Sequence, residues 1–158
     1  MNLMRLPRGV TGFARSGKKD PPLPATDSRA FRGHCHAAAR AAGATVRGFE
    51  PAYHFTNNYA ACLLDVPPGP REVAVLLHAH FPFVAFAAPP LGLEMRFVDA
   101  PALVEAFRGF GVYEVLDRPA AEAPLTADAV ADLHKWERSQ FGYWKPKCVG
   151  DVIFNSWD

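Results

Sequence analysis

Hydrophobic and polar positions along the chain follow two rhythms, and the switch between them marks the elements. Phe31, Cys35, Ala38, Ala39 and Ala42 recur at spacings of three and four, which predicts a helix from Asp27 or Ser28 to about Ala42 with one buried face. Gly43 stands where a left-handed stop is wanted. Short strands are predicted at 45–49 and 58–65, and the turn VPPGP separates the second from a strand at 72–80, as in an antiparallel hairpin. Pro82 cannot donate to a ladder, so the apolar run bends there and resumes at 83–88 before Pro89, Pro90 and Gly92 end it.

A strand at 93–99 follows, then a helix with Pro101 at its first position and Leu103, Val104 and Phe107 as its buried stripe, closed by Gly109 and Gly111. Residues 112–117 alternate as a strand. Thr126 opens a third helix to about Ser139, with Leu125 and Val130 placed as a hydrophobic staple. The β-branched VGDVIF at 149–154 predicts a last strand. Residues 4–13 are expected to form a strand or extended arm, and the polar, proline-broken stretch 15–26 a flexible loop. This order predicts an α+β fold, a mainly antiparallel sheet with about three helices packed on it, in a single domain spanning 1–158.

Composition narrows the partners. The formal charge of +1 supplies no overall field toward nucleic acid, which is therefore not expected as a partner. From Val73 to Leu93 no Lys, Arg, Asp or Glu interrupts the chain, the length of a membrane span. His78, His80, Pro82, Pro89, Pro90 and Gly92 fall inside it, so strand, turn and strand explain the run and no membrane partner is expected. Cys35, Cys62 and Cys148 are odd in number and widely spaced, which predicts free thiols and a reducing cytoplasm. Arg5, Pro7, Arg8 and Gly9 interrupt the apolar core a secretory signal would need, so the chain is read as starting at residue 1.

The candidate chemistry is sparse. His78 and His80, two apart on a predicted strand, would share a face at roughly 7 Å between Cα atoms, a geometry for two ligands of one metal in a small metal-dependent enzyme. A catalytic zinc wants a third protein ligand that the local sequence does not supply, and hydrogen-bonded strand histidines are the simpler reading, with no metal and no cofactor. His34 and His36 flank Cys35 on a helix, about 200° apart, and cannot close on one ion. GFARSGKK (12–19) approaches a phosphate-binding loop, but Lys19 stands in place of Ser or Thr, and Asp20, Pro21 and Pro22 follow where a helix should begin. No G-x-S-x-G elbow surrounds any serine, and no cation neighbours Cys62, so neither pattern of nucleophile is present. His54, Asn57 and Asn58, with the aromatic segment at Tyr143 and Trp144 and nearby Trp136 and Lys145, are the residues of choice for a partner-binding surface.

The strings LPRGVTGF, VAVLLHAHFPFVAFA and WKPKCVGDVIFNSWD resemble a group of small bacterial proteins, some of which look like immunity proteins of polymorphic toxin systems. The resemblance implies a cytoplasmic, cofactor-free, non-enzymatic protein that binds a cognate toxin stoichiometrically. No catalytic residue is carried over by it.

Overall fold

The Asp27 carboxylate accepts a hydrogen bond from the Ala30 amide at 3.0 Å and starts helix α1 (Ser28–Ala42), which Gly43 ends at φ 69°. The buried residues of α1 are Phe31, Cys35, Ala38 and Ala39, the face that the spacing predicts. In this computed structural model, which describes residues 4–12, 23–52, 57–68, 71–92 and 94–157, four strands follow: β1 (Thr45–Glu50), β2 (Tyr59–Asp65), β3 (Glu72–His78) and β4 (Phe83–Ala87). They pair antiparallel in chain order. Helix α2 (Pro101–Phe110) then leads to the two-residue β5 (Glu114–Val115), which pairs parallel to β4. Four short helices complete the chain: α3 (Arg118–Ala121), α4 (Lys135–Ser139), α5 (Phe141–Trp144) and α6 (Val149–Ile153). The fold is α+β, with a mainly antiparallel sheet and helices packed on it.

Both faces of the central strands are covered, which explains why β3 and β4 read as continuous apolar runs rather than alternating ones. Val73, Val75 and Leu77 of β3 and Val84 and Phe86 of β4 pack against Phe31 and Cys35 of α1 and Leu103, Val104 and Phe107 of α2. Ala74 and Leu76 of β3 and Phe83, Ala85 and Ala87 of β4 pack on the other side against Leu6, Val10, Leu133, Val149, Val152, Ile153 and Phe154. The second layer is irregular, built from both ends of the chain. No helix among the described residues is long and apolar enough to cross a membrane.

Several expectations give way in that second layer. Residues 127–132 form turns, with Thr126 Oγ1 accepting from the Ala129 amide at 3.1 Å, and only Lys135–Ser139 is helical, because His134 adopts an extended backbone (φ −64°, ψ 145°) and caps α4. The VGDVIF segment is helix α6 rather than a strand. Val149, Val152 and Ile153 lie at helical spacing and are all buried, so packing overrides β propensity. Gly150 makes this possible: a Cβ there would stand 2.4 Å from the Phe97 ring.

The stretch 93–99 contributes one bridge, Ala87 to Phe97, instead of a strand, and 112–117 contributes only β5. Residues 4–7 carry no strand, and turns follow through Gly12. Of the loop expected at 15–26, residues 15–22 lie outside the described ones; Thr26 is tied down, donating to the carbonyl of His78 at 2.7 Å.

Candidate functional site

Three distant segments meet beneath the β2–β3 edge of the second layer. Gly9 and Gly12, at φ 95° and 84°, fold the first segment into tight turns that present the Val10 carbonyl inward. That carbonyl accepts from His78 Nε2 at 2.6 Å and from Asn58 Nδ2 at 3.0 Å. Asn58 Nδ2 also donates to the Ile153 carbonyl at 2.9 Å, and its Oδ1 accepts from the Asn155 amide at 2.8 Å. Asn155 in turn donates to the carbonyls of Thr11 (3.1 Å) and Val152 (2.9 Å). Asn58, His78 and Asn155 are all buried. Their polar atoms are satisfied by backbone groups, as buried polar groups must be.

His78 has both ring nitrogens engaged by backbone groups. It is fully buried at the end of β3, and its Nδ1 accepts the amides of His80 (3.0 Å) and Phe81 (3.1 Å). A carbonyl can only accept, so Nε2 carries the proton that goes to Val10, and the one lone pair of the neutral ring faces two backbone N–H groups. None is left for an ion. Burial, opposed by the Val10 carbonyl, pulls this imidazole down to about 4. His80 lies beyond the strand, its ring centroid 5.7 Å from that of His78, and its Nδ1 contacts the Pro24 carbonyl at 2.8 Å. The expected shared strand face of His78 and His80 is therefore not formed: His78 instead caps the turn that ends its own strand. Among the described residues no group of three or more His, Cys, Asp or Glu is placed to hold a metal.

The other candidates resolve in the same way. His34 Nδ1 meets the Tyr113 hydroxyl at 2.6 Å and His36 packs near Phe49, so the two diverge as helix geometry requires. The Cys35 thiol is pushed up by its hydrogen bond to Cys62 and by burial, and burial pushes Cys148 up to about 11, so neither approaches a thiolate at neutral pH.

Glu137, which the sequence reading passed over, is the second anchor of this layer. Fully buried, it accepts from the Gly9 amide (2.9 Å), the Thr11 amide (3.3 Å) and the Thr11 hydroxyl (2.7 Å) through Oε1, and from the His134 amide (3.0 Å) through Oε2. The signal available in the sequence was a polar residue at a core spacing after Leu133. Helix α4 is thereby fastened to the N-terminal turns, and the aromatic side chains around it are carried on a fixed support.

Those aromatics form the outward face. Tyr143 is 77% exposed and Trp136 is 52% exposed. Trp144 is half-buried, edge-on to Tyr143 at 4.8 Å and stacked on Trp157 at 6.2 Å with 6° between the planes. The Trp157 amide donates to Asn155 Oδ1 at 3.2 Å, which links the stack to the buried junction. Lys145 follows at φ 51° and ψ 57°, its amide bonded to the Phe141 carbonyl, a left-handed position that costs a non-glycine residue about 1–3 kcal/mol. The Trp144 indole Nε1 is sealed from solvent without a hydrogen-bond partner, a state that costs about 1–3 kcal/mol.

A cleft of about 260 Å³ opens beside the stack, lined among others by Glu94, Arg96, Lys145, Lys147 and Asp151. It shares Met95, Arg96, Lys147 and Asp151 with a neighbouring depression of about 570 Å³ that extends to Arg118 and Glu122.

Of the residues chosen for a partner surface, Tyr143 and Trp144 stand on this face. His54 lies outside the described residues. Asn57 is half-buried, and Asn58 is not on the surface at all. Asn58 reaches the aromatic segment from within, through Asn155 and Trp157, because its amide joins the Val10 and Ile153 carbonyls to the Asn155 amide. Comparison with family models, with curated proteins and with solved structures gives no match.

Proposed function

We propose that this protein is a non-enzymatic protein-binding module, of the immunity type, which neutralises a cognate bacterial toxin by stoichiometric binding in the cytoplasm. The observation that supports the reading is the exposure of Tyr143 and Trp136 on short helices that Glu137 ties to the interior. Aromatic side chains of this kind, held rigid and open to solvent, are the usual anchors of a specific protein interface. The buried polar groups are consumed in holding the scaffold, and the balanced charge favours a protein over nucleic acid as the partner.

The test is co-expression with a secreted polymorphic toxin encoded beside the gene. Growth should be rescued and the two proteins should co-purify one to one. Tyr143→Ala, whose side chain leaves the core untouched, should weaken the complex by roughly 1–4 kcal/mol, the range for an interface anchor. A neighbourhood without such a toxin gene removes the immunity role, and turnover of a small substrate by the purified protein alone removes the binding role.

A further inference from the structure

The groove beside the Trp144–Trp157 stack carries more chemistry than an apolar contact needs. Arg96, Lys145 and Lys147 line it, all exposed and none in an ion pair among the described residues. Two carboxylates share the lining. Asp151 is already engaged, its Oδ2 accepting the Lys147 amide at 3.0 Å, while Glu94 stands exposed at the rim. At the next depression Arg118 is held by Glu122 and Asp99. Arg96, Lys145 and Lys147 outnumber Glu94 and Asp151 there, so the end near the stack carries the excess positive charge. The floor between is apolar, with Met95, Phe97 and Phe154, and the two depressions adjoin along Met95 and Lys147, so the groove is longer than a small anion would require.

We propose that this groove takes an extended acidic segment of the partner protein, with glutamate or aspartate side chains set against Arg96, Lys145 and Lys147 and an aromatic or long aliphatic side chain seated on Met95 and the tryptophan stack. The proposal rests on the protein-binding reading above and names the chemistry of what is bound. The sealed Trp144 Nε1–H supplies the second argument: Trp144 lines this groove, and a bound chain seated against it can bring this donor the carbonyl or carboxylate acceptor it lacks. Exposed Tyr143, edge-on to Trp144, then extends the same contact outward.

The experiment uses the full chain labelled with nitrogen-15, with the Trp144 indole cross-peak identified by its absence in Trp144→Phe. Three probes are titrated separately: acetyl-Glu-Phe-Glu-Glu-Phe-Glu-amide, the same peptide with lysine for each glutamate, and inorganic phosphate. The acidic peptide should shift the Trp144 indole signal to saturation, at least about tenfold more tightly than the lysine peptide, and phosphate should leave it in place. The double variant Arg96→Glu, Lys147→Glu should weaken the acidic peptide by at least about tenfold while keeping the wild-type melting transition. Equal response to the lysine peptide overturns the proposal, as does an equal shift with phosphate, which marks a small-anion site, or a shift that follows protein dilution alone, which marks a second copy. Unchanged acidic-peptide affinity in the double variant overturns it as well. A toxin complex lost with Tyr143→Ala but kept by the double variant sinks the groove and leaves the binding function standing.

Discussion

Acidification from pH 7 to 4.5 should destabilise this protein through His78 in a way that one substitution reveals. Unfolded, the imidazole titrates near its ordinary 6.5; folded, burial holds it down to about 4. Between these values the unfolded chain binds a proton that the native ring refuses, so the stability contributed by the neutral ring is complete above the unfolded value and is lost as pH falls toward the folded one. A gap of that size corresponds to about 3 kcal/mol in full, of which about 2.5 kcal/mol is gone by pH 4.5. Against a total of about 5–15 kcal/mol for a domain, the loss is large. The structural cause is specific: a proton on Nδ1 would point at the His80 and Phe81 amides, which need that atom as an acceptor.

Urea unfolding followed by tryptophan fluorescence, at intervals from pH 4 to 8, should be run on the wild type and on His78→Gln. The carboxylates and the other histidines titrate in both proteins, so the difference between the two stabilities isolates His78 and should shrink by about 2.5 kcal/mol between pH 7 and 4.5. A difference flat to within about 0.5 kcal/mol, or a His78 ring found by nitrogen-15 NMR to titrate at 6.5 or above, would refute the reasoning.

Glu137→Gln should destabilise the fold by about 2–4 kcal/mol, since one carboxylate oxygen that accepts becomes an NH₂ facing backbone donors; a urea midpoint unchanged from wild type would show that the N-terminal turns are held by other means. Gly150→Ala should cost about 1–3 kcal/mol or more from overpacking, because the new methyl meets the Phe97 ring and the Ala121 carbonyl. A soluble Gly150→Ala protein with wild-type melting would place α6 less tightly than described.

The elements legible in the sequence are those whose signal is local. Helix α1 declares itself by a capping aspartate, a stripe at Phe31, Cys35 and Ala38, and a terminal glycine, and α2 by Pro101 and its own stripe. Both write their burial onto neighbouring positions. The second layer hides because its determinants are distant. The break at His134 follows from Glu137 reaching turns 128 and 126 positions away, which no window on 126–139 contains. In VGDVIF the spacing of Val149, Val152 and Ile153 was a helical signal, outweighed by β-branched composition. Asn58, chosen for the surface as part of a polar cluster with His54 and Asn57, is buried for a similar reason: only the assembled chain shows the carbonyls of Val10 and Ile153 waiting for its amide.

LPRGVTGF, VAVLLHAHFPFVAFA and WKPKCVGDVIFNSWD, the strings on which the expected likeness rests, meet at one junction. Gly9 and Thr11 of the first bind Glu137, His78 of the second binds Val10 of the first, and Asn155 of the third binds Thr11 of the first. Within these strings Gly9, Val10, Thr11, His78 and Asn155 point inward and serve the scaffold, while Lys145 and Lys147 of the third stand exposed in the groove. The side chains open to solvent on the aromatic face, Trp136 and Tyr143, and the groove cation Arg96 lie outside all three strings. Proteins alike in the strings would then share the junction, the fold it stabilises and the groove cations Lys145 and Lys147, while Trp136, Tyr143 and Arg96 would be free to differ and to tune the choice of partner. Exchanging Trp136, Tyr143 and Arg96 between two such proteins should therefore move partner preference without moving stability, because none of the three contributes a bond to the junction.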